Sequence, residues 1–165
     1  MPSKAIGVKE LLILLLLFIL INVPVKAQIL PSITVNTIQQ LKFGAFTTLS
    51  NGGTVIVSAT GSRSVTGNII ALNMGAPVQQ AIIEVQAVAG TIISIVPGAD
   101  AVLTGSNGGT ITLHIGSTQP ASPFVITQSS VRVPVNIGGT LTVNNLVLNK
   151  AGNYSGTFNM IFISQ

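Results

Sequence analysis

Alternation of apolar and polar residues is the dominant pattern along most of this chain. In residues 110–115 the apolar side chains fall at every second position, with Ile111, Leu113 and Ile115 on one side. A period of two is typical of a half-buried β-strand. No stretch after Gln28 keeps an apolar i, i+3, i+4, i+7 pattern without a Gly or Pro interruption, so we expect little helix.

About nine or ten short strands are predicted, with turn sequences roughly every ten residues, which indicates an antiparallel β-sandwich. Enrichment in Ile, Val and Thr supports strands, because branched side chains pack well on a pleated surface. The candidate strands are 33–38, 54–58, 64–72, 83–87, 91–96, 110–115, 124–127, 131–135, 140–143 and 156–164. The predicted turns are 51–53, 97–98, 107–109 and 138–139.

The N-terminus departs from this pattern. After two lysines, residues 11–23 form an apolar run that as a helix would span about 20 Å, less than the roughly 30 Å of a bilayer core. The small-residue site 25–27 then fits signal-peptidase cleavage. The sequence therefore predicts a signal-peptide helix in residues 1–27 and one exported domain in residues 28–165, located in the periplasm, on the cell surface or outside the cell; an uncleaved anchor is the alternative.

Charge is scarce in the predicted mature chain. Residues 28–165 carry only six charged side chains, which are Lys42, Arg63, Arg132, Lys150, Glu84 and Asp100. The four cations are scattered and no aromatic residues interleave with them, which argues against nucleic-acid binding. With no cysteine, the chain can form neither a disulfide nor a lipoprotein anchor.

The few reactive side chains do not suggest catalysis. His114 is predicted to face outward with Thr110 and Thr112, and Glu84 to lie on the polar face of its strand. Asp100 follows a turn, where a carboxylate commonly bonds nearby backbone amides. Nucleophile and phosphate motifs are missing from the sequence, and two acids are too few for a calcium loop. We therefore predict a protein that is not an enzyme and has no cofactor, metal site or catalytic residue.

The C-terminal strand is apolar on both faces. Phe158, Met160 and Phe162 point one way, whereas Ile161 and Ile163 point the other. Burial of an Ile side chain stabilises a protein by roughly 1.5 to 3 kcal/mol, so a strand with one of these faces exposed to water would lose that stabilisation. The strand is therefore either central between two layers or part of a contact with another subunit.

The segment 28–40 is a second candidate for assembly. Its apolar residues Ile33 and Val35 alternate with polar ones, and Ile38 follows. This is the pattern of a strand donated to a neighbouring subunit, and equally that of the first strand of the chain's own sandwich.

A Gly-Gly-Thr motif recurs before apolar strand residues, and with its surroundings it carries a family resemblance. Ordered blocks within residues 41–158 resemble a family of secreted bacterial proteins, domain-of-unknown-function family 4402. The blocks are 41–46, 52–57, 61–67, 135–143 and 151–158. Their characteristic residues are Phe43, Gly44, Gly52, Gly53, Thr54, Gly138, Gly139, Thr140, Gly152, Tyr154 and Gly156.

That family is similar to fimbrial major subunits of the Mat or common-pilus type, whose domains are immunoglobulin-like. The resemblance implies an immunoglobulin-like sandwich and a surface or fimbrial subunit that assembles with itself or other surface subunits, with a chaperone and an usher as further partners. Tyr154 is predicted to be a corner residue whose hydroxyl bonds a backbone carbonyl. The alternative function is that of a monomeric secreted module that binds glycan or protein.

Overall fold

Antiparallel strands form nearly all of the regular structure. The computed structural model of the protein describes residues 7–9 and 32–165, so the predicted signal peptide and its cleavage site lie almost entirely outside the described residues. The strands are β1 (Thr34–Gln39), β2 (Lys42–Phe43), β3 (Ala45–Val57), β4 (Arg63–Leu72), β5 (Val78–Gln79), β6 (Ala81–Gln86), β7 (Ile92–Pro97), β8 (Ala101–Gly105), β9 (Thr110–Gln119), β10 (Phe124–Val125), β11 (Val133–Val143), β12 (Tyr154–Ser155) and β13 (Met160–Ser164). Within the described ranges, no helix is long and apolar enough to cross a membrane.

Three antiparallel sheets are built from these strands. The largest has the order β1-β6-β11-β9-β8-β12, and the β3–β4 hairpin joins it through β11. A three-stranded sheet has the order β10-β7-β13, and β2 pairs with β5. The prediction of an all-β antiparallel protein is confirmed.

Strand β11 is the branch point of the large sheet. On one edge it pairs with β6 as far as Ile137 and with β3 from Gly139 onward, while its other edge pairs with β9. Gly138 lies between the two partners. A Cβ atom there would sit 2.5 Å from the Val57 carbonyl oxygen, so only glycine allows the end of β3 to approach this closely. The predicted turn at 138–139 is therefore wrong, because this glycine pair permits close backbone contact inside a strand.

The predicted turn at 51–53 is wrong for a similar reason. These residues lie inside β3, in a wide bulge between the pairs Thr48–Ile69 and Gly53–Gly67. A Cβ atom at Gly53 would overlap the Thr66 carbonyl of β4. Four residues of β3, 49–52, thus lie opposite the single residue Asn68 of β4, an irregularity of the kind that bends a strand.

The turn predicted at 107–109 is confirmed, since these residues join β8 to β9, whereas the turn predicted at 97–98 is displaced: Pro97 still belongs to β7 and the connection to β8 is residues 98–100. Gly108 and Gly109 have φ angles of 88° and 84°, which favour glycine. The Gly105 and Gly108 amides donate to the carbonyls of Gly109 and Gly105 respectively, both at 3.0 Å, and close the hairpin.

One hydrophobic core unites the large and small sheets. Val55 of β3, Ile111 of β9 and Val135 of β11 are buried with Ile93 and Ile95 of β7. In β9, which lies between β11 and β8, Ile111, Leu113 and Ile115 are buried. The alternation in the sequence therefore predicted the buried face of this strand correctly.

Candidate assembly surface

Strand β13 lies at the edge of the three-stranded sheet. It pairs with β7 through Ile161–Val96 and Ile163–Ser94, and the sheet order ends with it. Among the described residues, β13 therefore ends its sheet and does not lie in the middle of it. The C-terminal strand is predicted correctly as a strand, but its position depends on pairing with residues far away in the sequence.

Within residues 32–165, no second strand pairs with the side of β13 that faces away from β7. Gln165 and Ile92 exchange two hydrogen bonds, of 2.9 and 3.2 Å, at the end of the β13–β7 ladder. Such exchange recurs at every second pair of an antiparallel ladder, so Ile161 and Ile163 also bond to β7. The N–H and C=O groups of Phe162 consequently point away from β7.

The outer face of this small sheet is apolar and exposed. Ile161 and Ile163 of β13 are 55% and 42% exposed. Beside them are Val96 and Ile92 of β7 and Val125 of β10, which are also exposed. We call these five residues the outer apolar face. None of the residues in β7, β10 or β13 is charged.

The opposite face of β13 points into the protein. Phe158, Met160 and Phe162 are half-buried and pack against the core. The predicted division of the strand into two apolar faces is thus confirmed. One face is satisfied by the core and the other has no cover among residues 7–9 and 32–165.

Residues 28–31 of the second candidate segment lie outside the described residues, and its remainder contains β1, an outer strand of the large sheet. In β1, Val35 pairs with Val85 of β6, and Ile33 is half-buried against the core. Ile38 is exposed beside the bulge that ends this ladder. The strand is another outer strand of the large sheet, and it is already paired within the chain.

Most of the characteristic residues of the motif blocks have packing roles. Phe43 is buried in β2, and Gly44 takes a φ of 71° directly after it. Gly152 and Gly156 lie against Ser106 and the Val102 carbonyl, where a Cβ would meet either atom at 2.7 Å. Thr54 of β3 and Thr140 of β11 are ladder residues of the large sheet.

Tyr154 behaves as the predicted corner residue. Its hydroxyl donates to the carbonyl of Lys150 at 2.8 Å, and the Gly108 carbonyl lies 3.4 Å away. The ring packs over Gly105, whose Cβ would come within 2.8 Å of it. The side chain thereby fixes the loop before β12 to the β8–β9 hairpin.

Together, these motif positions decide the family. A family model described as "Domain of unknown function (DUF4402)" matches residues 33–162, which span every strand from β1 to most of β13. The chain belongs to the DUF4402 family. No curated protein and no solved structure matches it.

The polar groups of this DUF4402 chain form surface pairs. His114 points outward as predicted, and its Nδ1 lies 2.7 Å from Oδ1 of Asp100, so that carboxylate meets an imidazole instead of backbone amides. Glu84 pairs with Arg132 at 3.3 Å. Both pairs lie on open strand surface, and the described residues contain no cluster of three or more potential metal ligands.

Two polar side chains with structural roles gave no signal in the sequence. Arg63 donates hydrogen bonds to the carbonyls of Phe43, Ala45 and Leu72, at 2.9 to 3.2 Å. Asn149 is 4% exposed, and its Nδ2 donates to the Thr110 carbonyl at 2.6 Å. Their partners lie 9 to 39 residues away, so local patterns could not reveal them.

A cleft of about 310 Å³ lies beside β7. Ile95 and Ser122 form part of its wall, together with Thr118. Ser122 Oγ accepts from the Ile95 amide at 2.7 Å and donates to its carbonyl, while Thr118 donates to the Pro120 carbonyl. The hydroxyl protons of both side chains are therefore already used within the protein.

Proposed function

We propose that this protein is an exported, non-enzymatic structural subunit of the cell surface, of a fimbrial or pilin-like kind, which assembles through strand contacts. The observation that carries the proposal is the exposed outer apolar face of the small sheet, whose strand order ends with β13 among the described residues. Natural edge strands are usually protected by charges, proline or a covering segment. Met160–Ser164 contains neither a charge nor a proline.

Export is part of this proposal and is supported by the apolar run and cleavage site before residue 28. The immunoglobulin-like description and the distant relation to Mat or common-pilus subunits are supported by the motif blocks and the antiparallel sheets. A chaperone and an usher would be the partners of such a subunit, since exposed strand edges need cover before assembly.

A monomeric binding module is the second candidate function. The cleft beside β7 favours it, because hydroxyl groups of Ser117, Thr118 and Ser122 line its wall. Two of those hydroxyls already donate within the chain, which leaves the cleft few free donors for a glycan. We therefore rank this function below assembly.

Charge placed on the outer apolar face should prevent assembly. The secreted wild-type protein is expected to form oligomers on size exclusion and in sedimentation, and the double variant Ile161→Lys, Ile163→Lys is expected to remain monomeric. Lysine side chains on an edge strand disfavour pairing with another strand because their charge must stay hydrated.

The control is Val102→Lys, since Val102 is equally exposed, at 58%, but lies in β8 away from this edge. It should assemble as the wild type does, and all three proteins should share one β-type circular dichroism spectrum. A wild-type chain that stays monomeric at every concentration would contradict the proposed function.

A further inference from the structure

We propose that copies of this chain bind head to tail, with the loop between β11 and β12 of one copy inserted into the cleft beside β7 of the next. Three consecutive residues of that loop, Leu146, Val147 and Leu148, carry large apolar side chains that are exposed, Val147 to 81%. We call these three residues the apolar tip. This inference rests on the proposed function, because it names a contact that would give the assembly its direction.

The backbone of the apolar tip is already hydrogen-bonded within the chain. Oδ1 of Asn145 accepts from the amides of Val147 and Leu148, both at 3.1 Å. The Asn145 carbonyl also accepts from the Asn149 amide at 2.8 Å. Since these donors keep their partners when water is removed, the loop can enter an apolar cleft without the cost of unpaired backbone groups.

The apolar tip and the cleft lie at opposite ends of β9. Asn149 fixes the tip loop to the carbonyl of Thr110, the first residue of β9. Gly116, Ser117 and Thr118, near the other end of the strand, form part of the cleft wall. At about 3.3 Å per residue, Ser117 lies about 20 Å from Thr110. The tip is therefore too far from the cleft of its own chain, and a contact between them must join two copies.

The cleft suits an apolar occupant. Ile95, Pro97 and Ala121 form part of its wall, and the hydroxyl groups of Thr118 and Ser122 already donate within the chain. Its volume of about 310 Å³ is at the lower end of the roughly 300 to 1,000 Å³ of ligand sites. Side chains of a loop can fill such a space, whereas a larger ligand would leave much of its surface in water.

The cleft is also continuous with the outer apolar face. β7 contributes Ile95 and Pro97 to the cleft, and Val96 between them belongs to the outer apolar face. Three side chains bury too little area for a stable interface by themselves, because such interfaces bury about 1,200 to 2,000 Å² in total. A neighbouring copy whose tip enters the cleft would cover the outer apolar face at the same time, so both surfaces belong to one interface.

Charges of opposite sign accompany the two surfaces. Lys150 follows the apolar tip after one residue. Asp100 ends the connection that begins after Pro97 of the cleft. Its carboxylate contacts His114, two residues before Gly116 of the cleft wall. Attraction between Lys150 of one copy and Asp100 of the next favours tip-to-cleft binding, whereas a tip-to-tip contact would bring two lysines together.

A tip-to-cleft contact joins two different surfaces, so every bound pair still has one open tip and one open cleft. A contact of this kind continues into a filament or closes into a ring, whereas a two-fold contact stops at the dimer. Head-to-tail binding therefore predicts a series of multimers.

Introduced cysteines can test this contact, because the native chain has none. The experiment expresses the full chain with Val147→Cys and Ser117→Cys together, oxidises the secreted protein mildly and separates it on non-reducing gels. We expect a ladder of dimers, trimers and larger multimers that a reducing agent converts to monomer. Each single variant should stay mainly monomeric on the gel. In the matched control, Val102→Cys, exposed on β8, replaces Val147→Cys and should give no ladder.

Other outcomes overturn the inference in distinguishable ways. Oligomers without the 117–147 ladder would overturn the tip-to-cleft contact and leave the proposed function intact. A disulfide dimer of Val147→Cys alone would show that tips bind each other. Flotation with phosphatidylglycerol vesicles that is lost in Val147→Asp, without a ladder, would show that the tip enters lipid instead. A purely monomeric protein, with neither oligomers nor cross-links, would overturn both this inference and the proposed function.

Discussion

At the scale of single residues, Arg63 is a charged side chain that binds backbone carbonyl groups and not a carboxylate. Nη1 donates to the carbonyls of Phe43 and Ala45, and Nη2 donates to that of Leu72. Ala45 and Leu72 are paired at the open end of the β3–β4 hairpin. The planar guanidinium thus links that end to β2 through two nitrogens held in a fixed geometry, whereas a lysine ammonium would have to reach all three carbonyls from one nitrogen.

Replacement of Arg63 by Lys should therefore destabilise the protein. We expect the free energy of unfolding to fall by about 1 to 3 kcal/mol, because at least one part-buried carbonyl loses its donor. Urea denaturation followed by circular dichroism measures this. Arg132→Lys is the control: Arg132 is in an exposed ion pair, so its substitution should change stability by less than about 0.5 kcal/mol. Equal effects of the two changes would contradict the role of Arg63.

Sequence patterns predicted the direction of side chains better than their partners. The outward position of His114 follows from alternation within β9, a property of neighbouring residues. Its contact with Asp100 depends on the β8–β9 register, in which Ala101 is opposite Leu113. That register is set by the turn and by packing, and neither is visible in the residues around His114.

At the scale of elements, the glycines inside β11 determine how the large sheet branches. Ile137 is the last residue paired with β6, and Gly139 is the first paired with β3. Around Gly138 the backbone of residues 57–59 comes so close that a Cβ would lie 2.5 to 2.8 Å from its atoms. Two partner strands can follow one another along β11 only because this side chain is missing.

Gly138→Ala should accordingly be costly. The added Cβ meets backbone atoms that cannot move without separating β3 from β11, and we expect a loss of about 3 kcal/mol or more, the upper range for overpacking. Thermal or urea unfolding provides the measurement. Gly116→Ala is the matched control, since its Cβ would make ordinary contacts of 3.5 Å or more, with the backbone of Gly138 and Gly139. Similar stability of both variants would show that the branch tolerates a side chain.

Alternation predicted most strands, and its failures share a physical cause. β8 went unpredicted because Ala101 and Gly105 occupy two of its buried positions, and such small residues carry little hydrophobic signal. β2 and β5 have two residues each, too few for any period. The glycine pairs at 52–53 and 138–139 resemble hairpin turns in sequence, whereas their role is set by strands that cross nearby.

At the scale of the whole molecule, the sequence showed that β13 is apolar on both faces but not where it lies. Its strand neighbour among the described residues, β7, is more than 60 residues earlier, with Ile161 opposite Val96. Position within a sheet is a long-range property of pairing, so both the edge and the outer apolar face emerged only from the fold. The family, in contrast, was evident from the local motif blocks.

Scarcity of acidic groups predicts weak pH dependence of folding. Residues 32–165 hold two side-chain carboxylates, Glu84 and Asp100, and both lie in contacts at the surface. With so few carboxylates the chain has little of the charge chemistry that causes acid denaturation, so we expect the urea midpoint to change little between pH 7 and pH 3. Urea titrations followed by circular dichroism at several pH values in that range provide the measurement. A steep acid transition would refute the expectation.

The branch at β11 also determines the order in which the strand pairs can form while the chain is being synthesised. Before residue 133 has been synthesised, the chain can form the β1–β6, β3–β4 and β8–β9 pairs, but the strand that joins them is still missing. Sheets that depend on such distant pairing fold slowly. A chain emerging from the ribosome is therefore expected to hold separate strand pairs, and to join them into one sheet when its last fifth appears.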